Sequence, residues 1–266
     1  MSHIHRRKEN WVLSNSMEHE IARGSIDGME EFFGFGERNN IQVVNGGSDL
    51  WEGTSSSAPW PNQLGGEQMM VLSSSYDDRL TGTGVQKVEI DYLDAIGNEQ
   101  YETINMNGTA WVRTVGTNIR FVNAIHATQV GSGTVAQGDI SICANGTLAQ
   151  VYNLINNFGN MSLNATRMVP YGKTFYLQEW TTSTACLANL AAVKVRLRAT
   201  TIHGTRVQGV FLFTDSVSLQ NSTYQKVFTV PRKIPQLSVV KVTANTTIAG
   251  PYVDASYSGC LETNSD

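Results

Sequence analysis

From residue 67 onward the chain is built of short runs in which apolar and polar residues alternate with a period of two, each closed by turn-forming residues. A period of two places successive side chains on opposite faces of an extended strand, so this pattern demands sheets with one face buried. AAVKVRLRAT (191–200) alternates throughout, with Val193, Val195 and Leu197 expected inward and Lys194, Arg196 and Arg198 outward. In VQKVEIDYLD (85–94), Gln86, Val88, Ile90 and Tyr92 share one face and Val85, Lys87, Glu89 and Asp91 the other.

Similar runs are QMMVLSSS (68–75), QYETINMNG (100–108), WVRTVG (111–116), IRFVNAIHATQ (119–129) and GDISICANG (138–146). Turn chemistry separates them: Thr81-Gly82-Thr83-Gly84, Ile96-Gly97-Asn98, Asn107-Gly108, Gly131-Ser132-Gly133 and Asn145-Gly146. Asn-Gly suits a type I′ hairpin, because both central residues there take positive φ. A second set comprises LAQVYNLI (148–155), TRMVP (166–170), KTFYLQEWTTST (173–184), VQGVFLFTDSVSL (207–219), TYQKVFTVP (223–231), LSVVKVTA (237–244) and PYVDASYSG (251–259). The expected fold is all-β: two consecutive antiparallel β-sandwich or jelly-roll-like modules, 67–146 and 147–266. A single larger sandwich is the alternative.

Residues 1–44 are less strand-like and are expected to form an extended N-terminal arm, ordered where it lies on something else. Ser14 or Ser16 would cap a short helical turn over Met17–Ala22. Residues 45–66 form a Gly/Ser/Pro-rich connector whose Trp51 and Trp60 are costly to expose, so they are expected to pin it to a surface.

Charged residues make up 16% of the 266, below the usual figure of about 25%. Thr, Ser, Asn and Gly take their place, as the wet face of a sheet requires. A net charge of -4 gives no electrostatic case for wrapping nucleic acid. The N-terminal MSHIHRRKENW is basic but no apolar core follows it, so no secretory signal is expected. Neither is a membrane-spanning helix, since no run approaches 18 apolar residues. Cys143, Cys186 and Cys260 lack metal-ligand spacing and are expected to be reduced.

Catalytic and metal-binding patterns are correspondingly thin. Asp77 and Asp78, with Asp91 and Asp94 further on, offer oxygen ligands for Ca²⁺ but lack EF-hand spacing, and turn formation is their simpler role. His3, His5, His19, His126 and His203 have no Cys or Glu at ligand spacing, and no G-x-S-x-G elbow occurs. Nothing singles out Glu89, Glu99, Glu102 or Glu179 as paired glycosidase carboxylates. Six Asn-x-Ser/Thr triplets, at Asn107, Asn145, Asn160, Asn164, Asn221 and Asn245, read as a by-product of a Thr/Asn-rich β surface. The expectation is a protein that is not an enzyme and carries no cofactor.

Several segments together resemble a family of virion structural proteins from tailed bacteriophages. They are ARGSIDGMEEFFGFGERNNI (22–41), DLWEG (49–53), PWP (59–61), VLSSSYDDRLTGTGVQKVEIDYLDAIGNEQYETINMNGT (71–109) and GSGTVAQGDISI (131–142). The motif S-S-S-x-x-D-x-x-x-G-T-G is matched by Ser73, Ser74, Ser75, Asp78, Gly82, Thr83 and Gly84. The hairpin xxLDxxxNExxExxxLNGT is matched by Leu93, Asp94, Asn98, Glu99, Glu102, Asn107, Gly108 and Thr109, with Met106 in place of Leu. Pro170-Tyr171-Gly172-Lys173-Thr174 also looks like the family's later turn. The resemblance covers roughly three quarters of the chain and fades after residue 200.

The resemblance implies a non-enzymatic particle component located in the virion. The reading taken from it is a capsid decoration or cement protein that binds the major capsid protein or other virion proteins and self-associates. A tail-associated protein (adaptor, nozzle or fibre base) is the first alternative. A carbohydrate-binding module using Trp111, Tyr171, Tyr176 and Trp180 is the second. Expected partner contacts are Arg6, Arg7, Trp11, Leu13, Met17, Ile21, Phe32, Phe33, Phe35, Trp51 and Trp60, with Val12 and Lys8 beside them.

Overall fold

The structure is a computed structural model that describes residues 17–44, 46–61, 65–144, 150–186, 192–200 and 210–264. It is all-β. Among the described residues the one α-helix is the six-residue α1 (Met17–Ala22). Arg6, Arg7, Lys8, Trp11, Val12, Leu13, the capping serines 14 and 16, His3, His5, His203 and the Asn145-Gly146 turn lie outside the described residues.

One core is enclosed by strands from the middle of the chain. β3 (Met69–Ser73), β6 (Val112–Arg113), β8 (Ile140–Ala144) and β9 (Val151–Ile155) form a sheet in the order β6-β3-β8-β9. β4 (Val85–Leu93), β5 (Glu99–Asn105) and β7 (Phe121–Val130) form another, in the order β5-β4-β7. Val71, Ile140, Ile142 and Ile155 of the first sheet meet Val88, Ile90, Ile104 and Ile125 of the second, all buried. The alternation read in 85–94 sets this geometry, with Val88, Ile90 and Tyr92 inside.

The second core draws on both ends of the described chain. β1 (Met29–Arg38), β16 (Tyr252–Thr263), β11 (Lys173–Ala185) and β14 (Thr223–Ile234) form a fully antiparallel sheet in that order. β10 (Arg167–Met168), β15 (Val239–Thr246), β12 (Val193–Thr200) and β13 (Phe211–Leu219) form its neighbour, and β2 (Ser48–Asp49) pairs with β15. Phe32, Phe175, Trp180 and Tyr257 from the first sheet pack against Val195, Leu197, Val240 and Val242 from the second.

Three expectations change. Residues 29–38 are a strand paired with β16 over ten positions and are no arm. Phe32 enters the core, its ring 4.8 Å from Phe175 and edge-on, and this burial outweighs leaving the segment in water. The glycines of FFGFG fit because a Cβ on Gly34 would overlap the Tyr257 ring and one on Gly36 would overlap Leu50 and Ala165. β9, read as opening the second set, instead pairs with β8 and buries Tyr152 and Ile155 in the first core. Finally, Asn107-Gly108 makes no hairpin, since β5 pairs with β4 whereas β6 pairs with β3. Gly108 takes φ 61° while Asn107 stays out of the left-handed region, so the type I′ geometry is not formed.

The connector is built into the fold. Trp51 is buried, its Nε1 donating to the Ser55 carbonyl at 2.8 Å. Trp60 joins Leu93 and Phe121 from the first body to Met168, Leu237 and Val239 from the second. Beside it the Lys241 ammonium lies 2.8 Å from the buried Asp49 carboxylate and 4.3 Å from the Phe211 ring centroid. Connector and both bodies therefore share apolar contacts.

Candidate interaction surface

Of the residues expected to meet a partner, Ile21, Phe32, Trp51 and Trp60 are buried within the chain and offer it nothing. Ile21 packs with Ile26 and Cys260 where α1 covers the outer face of the β1–β16–β11 sheet. Phe35 is half-buried, while Met17 and Phe33 remain exposed, at 52% and 48%. The exposed aliphatic surface that alternation did not reveal lies on β14.

β14 is an outermost strand, and its pairing with β11 is interrupted. Leu177 faces Arg232 and Glu179 faces Val227, so four residues of β14 (228–231) stand opposite Gln178 alone. The excess pushes the strand outward, as bulges at sheet edges do. Val227 and Val230 stand 65% and 77% exposed on this ridge, with Leu212 of β13 53% exposed across a cleft of about 900 Å³. Pro231 is tolerated because an edge strand has a side that donates to nothing.

Charge is distributed unequally about the ridge. β14 carries Lys226, Arg232 and Lys233 and no acid. Lys226 is already held by Asp215 at 3.0 Å, whereas Arg232 and Lys233 are exposed. On the other side of the ridge a groove of about 740 Å³ is lined by Glu18, Glu31 and Glu179 together with Val227 and Pro231. At the far edge of the same sheet β1 presents Glu30, Glu31 and Phe33. Lys173 binds Glu30 and Glu99 there, and both partners raise its pKa against the opposing effect of burial.

Two other clusters bear on function. Asp78 is fully buried: its Oδ1 accepts from the backbone N–H groups of Val85 (2.8 Å) and Gln137 (2.9 Å). Its Oδ2 accepts from Ser73 Oγ (2.6 Å) and Gly138 N–H (3.0 Å). Four donors use the lone pairs that Ca²⁺ would need, so Asp78 is a turn organiser. Asp94 likewise accepts from the N–H groups of Ile96, Gly97 and Asn98.

The second cluster joins Glu89, Asp91 and His126 on the outer face of the β5-β4-β7 sheet, with ligand atoms within 4.8 Å of one another. His126 Nε2 lies 3.6 Å from Glu89 and Nδ1 3.9 Å from Asp91. The ring thus lies between two carboxylates, with an oxygen of each within 4.8 Å of one ring nitrogen. Burial pushes the Asp91 carboxyl above its ordinary value, opposed by His126 and Arg167. Sequence spacing missed this group because Glu89 and His126 become neighbours only through the β4–β7 register.

The aromatic stripe suited to sugars does not form. Trp180 is fully buried, edge-on to Tyr224 and donating to Asp215, while Tyr171 is exposed on a turn. All three cysteines are free thiols. Burial pushes the Cys143 thiol up to about 12. A thiol reagent at about pH 8 is expected to label the half-exposed Cys186 first and Cys143 only on unfolding; mass spectrometry of the labelled protein checks this, and rapid labelling of Cys143 would contradict its burial.

No family profile and no curated protein matches the chain. Among solved structures, similar chains occur in the structure of infectious bursal disease virus Gt strain and the crystal structure of the infectious bursal disease virus VP2 subviral particle. The first is 8% identical with a TM-score of 0.16, covering 90% of this chain and 78% of that one. The second is 9% identical with a TM-score of 0.13 and the same coverage. Similarity at that level carries no argument about shared fold or function. No described helix is long and apolar enough to cross a membrane.

Proposed function

We propose that the protein is a structural component of a virus particle, a scaffold of two sandwich-like bodies whose role is contact with other virion proteins. The observation that carries this reading is the ridge of β14, where aliphatic side chains are exposed beside basic residues on a sheet edge that no other described strand pairs. Exposed apolar surface rimmed by charge marks a docking surface. The resemblance of residues 22–142 to tailed-phage virion proteins supports the same reading. Within it, capsid decoration is the role we favour, with the major capsid protein as partner. The tail-associated alternative draws support from the opposite charges on the two edges of one sheet, which suit a ring.

Purified protein added to undecorated phage heads is expected to co-sediment with them. Val227→Asp combined with Val230→Asp is expected to abolish this while leaving the circular dichroism unchanged. The truncation that tests the N-terminal segment removes residues 1–16, because 29–38 belong to the sheet. Binding to a glycan array without binding to heads would overturn the proposal, as would head binding indifferent to the ridge substitutions.

A further inference from the structure

The two outer edges of the β1-β16-β11-β14 sheet differ in charge, direction and shape, and each suits the other. We propose that copies of this chain join head to tail, the β1 edge of one against the β14 edge of the next, extending one antiparallel sheet across the junction. The inference draws on the same β14 ridge as the virus-particle reading, and its test, made without phage heads, reads self-association alone.

Direction comes first. β1 is antiparallel to β16, β16 to β11 and β11 to β14, so β14 runs opposite to β1. A second copy in the same orientation therefore brings its β1 antiparallel to β14 and continues the alternation. On β1 the stretch from Met29 to Gly34 is the accessible part. Beyond it, Phe35 is bridged by Asn164, and the Arg38 guanidinium holds the carbonyls of Gly53, Thr54 and Ser55.

Charge then selects the pairing. The accessible stretch of β1 carries Glu31, with Glu30 already held by Lys173, and β14 carries Arg232 and Lys233. Like edges repel: β1 on β1 would set acid on acid, and β14 on β14 base on base. Only unlike edges attract, which makes the contact heterologous.

Side-chain faces restrict the register to alternate positions, and charge selects the one that sets Glu31 against Lys233. Phe32 and Ile234 point into the core, so Glu31, Phe33, Pro231 and Lys233 share the outer face of their strands. With faces matched and Glu31 set opposite Lys233, Phe33 stands opposite Pro231. Pro231 cannot donate a hydrogen bond, so contact at that position is side chain on side chain. Closure into a ring or growth as a filament is set by the rotation per step.

Two variants test this. Glu31→Ala with Phe33→Asp alters only the β1 edge; Val230→Asp with Lys233→Ala alters only the β14 edge, so the two altered edges carry no complementary charge. In sedimentation velocity the unaltered chain is expected to form species that grow with concentration, and each variant to stay monomeric with an unchanged circular dichroism spectrum. Mixed together, the variants retain one intact edge of each kind and are expected to form a dimer that grows no further. A chain carrying the exchange Glu31→Lys and Lys233→Glu is expected to regain assembly, and it serves if a double variant fails to fold. The proposal is overturned if the unaltered chain is monomeric up to about 1 mM, the weak limit of specific association. It is equally overturned if folded variants form no mixed dimer, or if altering either edge leaves assembly unchanged.

Discussion

Replacing Asp78 by alanine is expected to lower the unfolding free energy by about 3–5 kcal/mol, because four buried donors lose their acceptor. The carboxylate gathers donors from three parts of the chain: Ser73 at the end of β3, Val85 at the start of β4, and Gln137 with Gly138 before β8. Without it these groups stay buried and unpaired, each at a cost of about 1–3 kcal/mol, partly relieved by local opening. Asp78→Asn should recover part of the loss, because one oxygen still accepts while the new amide faces the Gly138 N–H donor to donor. Gly84→Ala is a second probe, since its Cβ would overlap Asp78 Oδ1. Urea titration reads all three variants: a shifted midpoint at constant slope is the expected result. A midpoint equal to that of the unaltered chain for Asp78→Ala would refute the role given to this carboxylate.

Trp60→Ala is expected to cost about 3–5 kcal/mol as well, and to change the form of unfolding. The indole packs with Leu93 and Phe121 on one body and with Met168, Leu237 and Val239 on the other. Its ring is 5.8 Å from Phe121, 6.2 Å from Phe211 and 5.8 Å from the Lys241 ammonium. A shared aromatic couples two cores by letting neither lose its packing alone. Calorimetry of the unaltered chain should therefore show one transition, and the variant two, with the total enthalpy nearly preserved. A variant that melts in a single transition at the original temperature would show that the coupling lies elsewhere.

The strands were legible where burial falls on one face. Val193, Val195 and Leu197 point inward and Lys194 outward, as the alternation requires. Legibility failed where partners are distant. FFGFG looks like a string of exposed anchors until Tyr257, more than 200 residues away, is seen to occupy the space its glycines leave. TYQKVFTVP was read as ending at Pro231, yet β14 continues to Ile234 because an edge strand accommodates both the proline and the extra residues. The site suffered most. Exposed Val227 and Val230 obey a strand pattern like any core valine, and only the sheet order shows that no described strand covers them. Glu89, Asp91 and His126 meet through register, which spacing along one strand does not encode.

Because β1 pairs along its length with β16, the earliest described strand must wait for the latest described one. During synthesis the central body, whose core spans residues 69–155, has all its parts available while the flanking strands still lack theirs. Phe32, Leu50 and Trp51 must spend that interval without the neighbours that later enclose them, a period when chaperone capture or mispairing with another nascent chain competes with correct closure. Folding yield in cells is thus expected to depend on how quickly ribosomes deliver residues 167–263, and slow codons placed there should lower it more than the same codons placed in the central body.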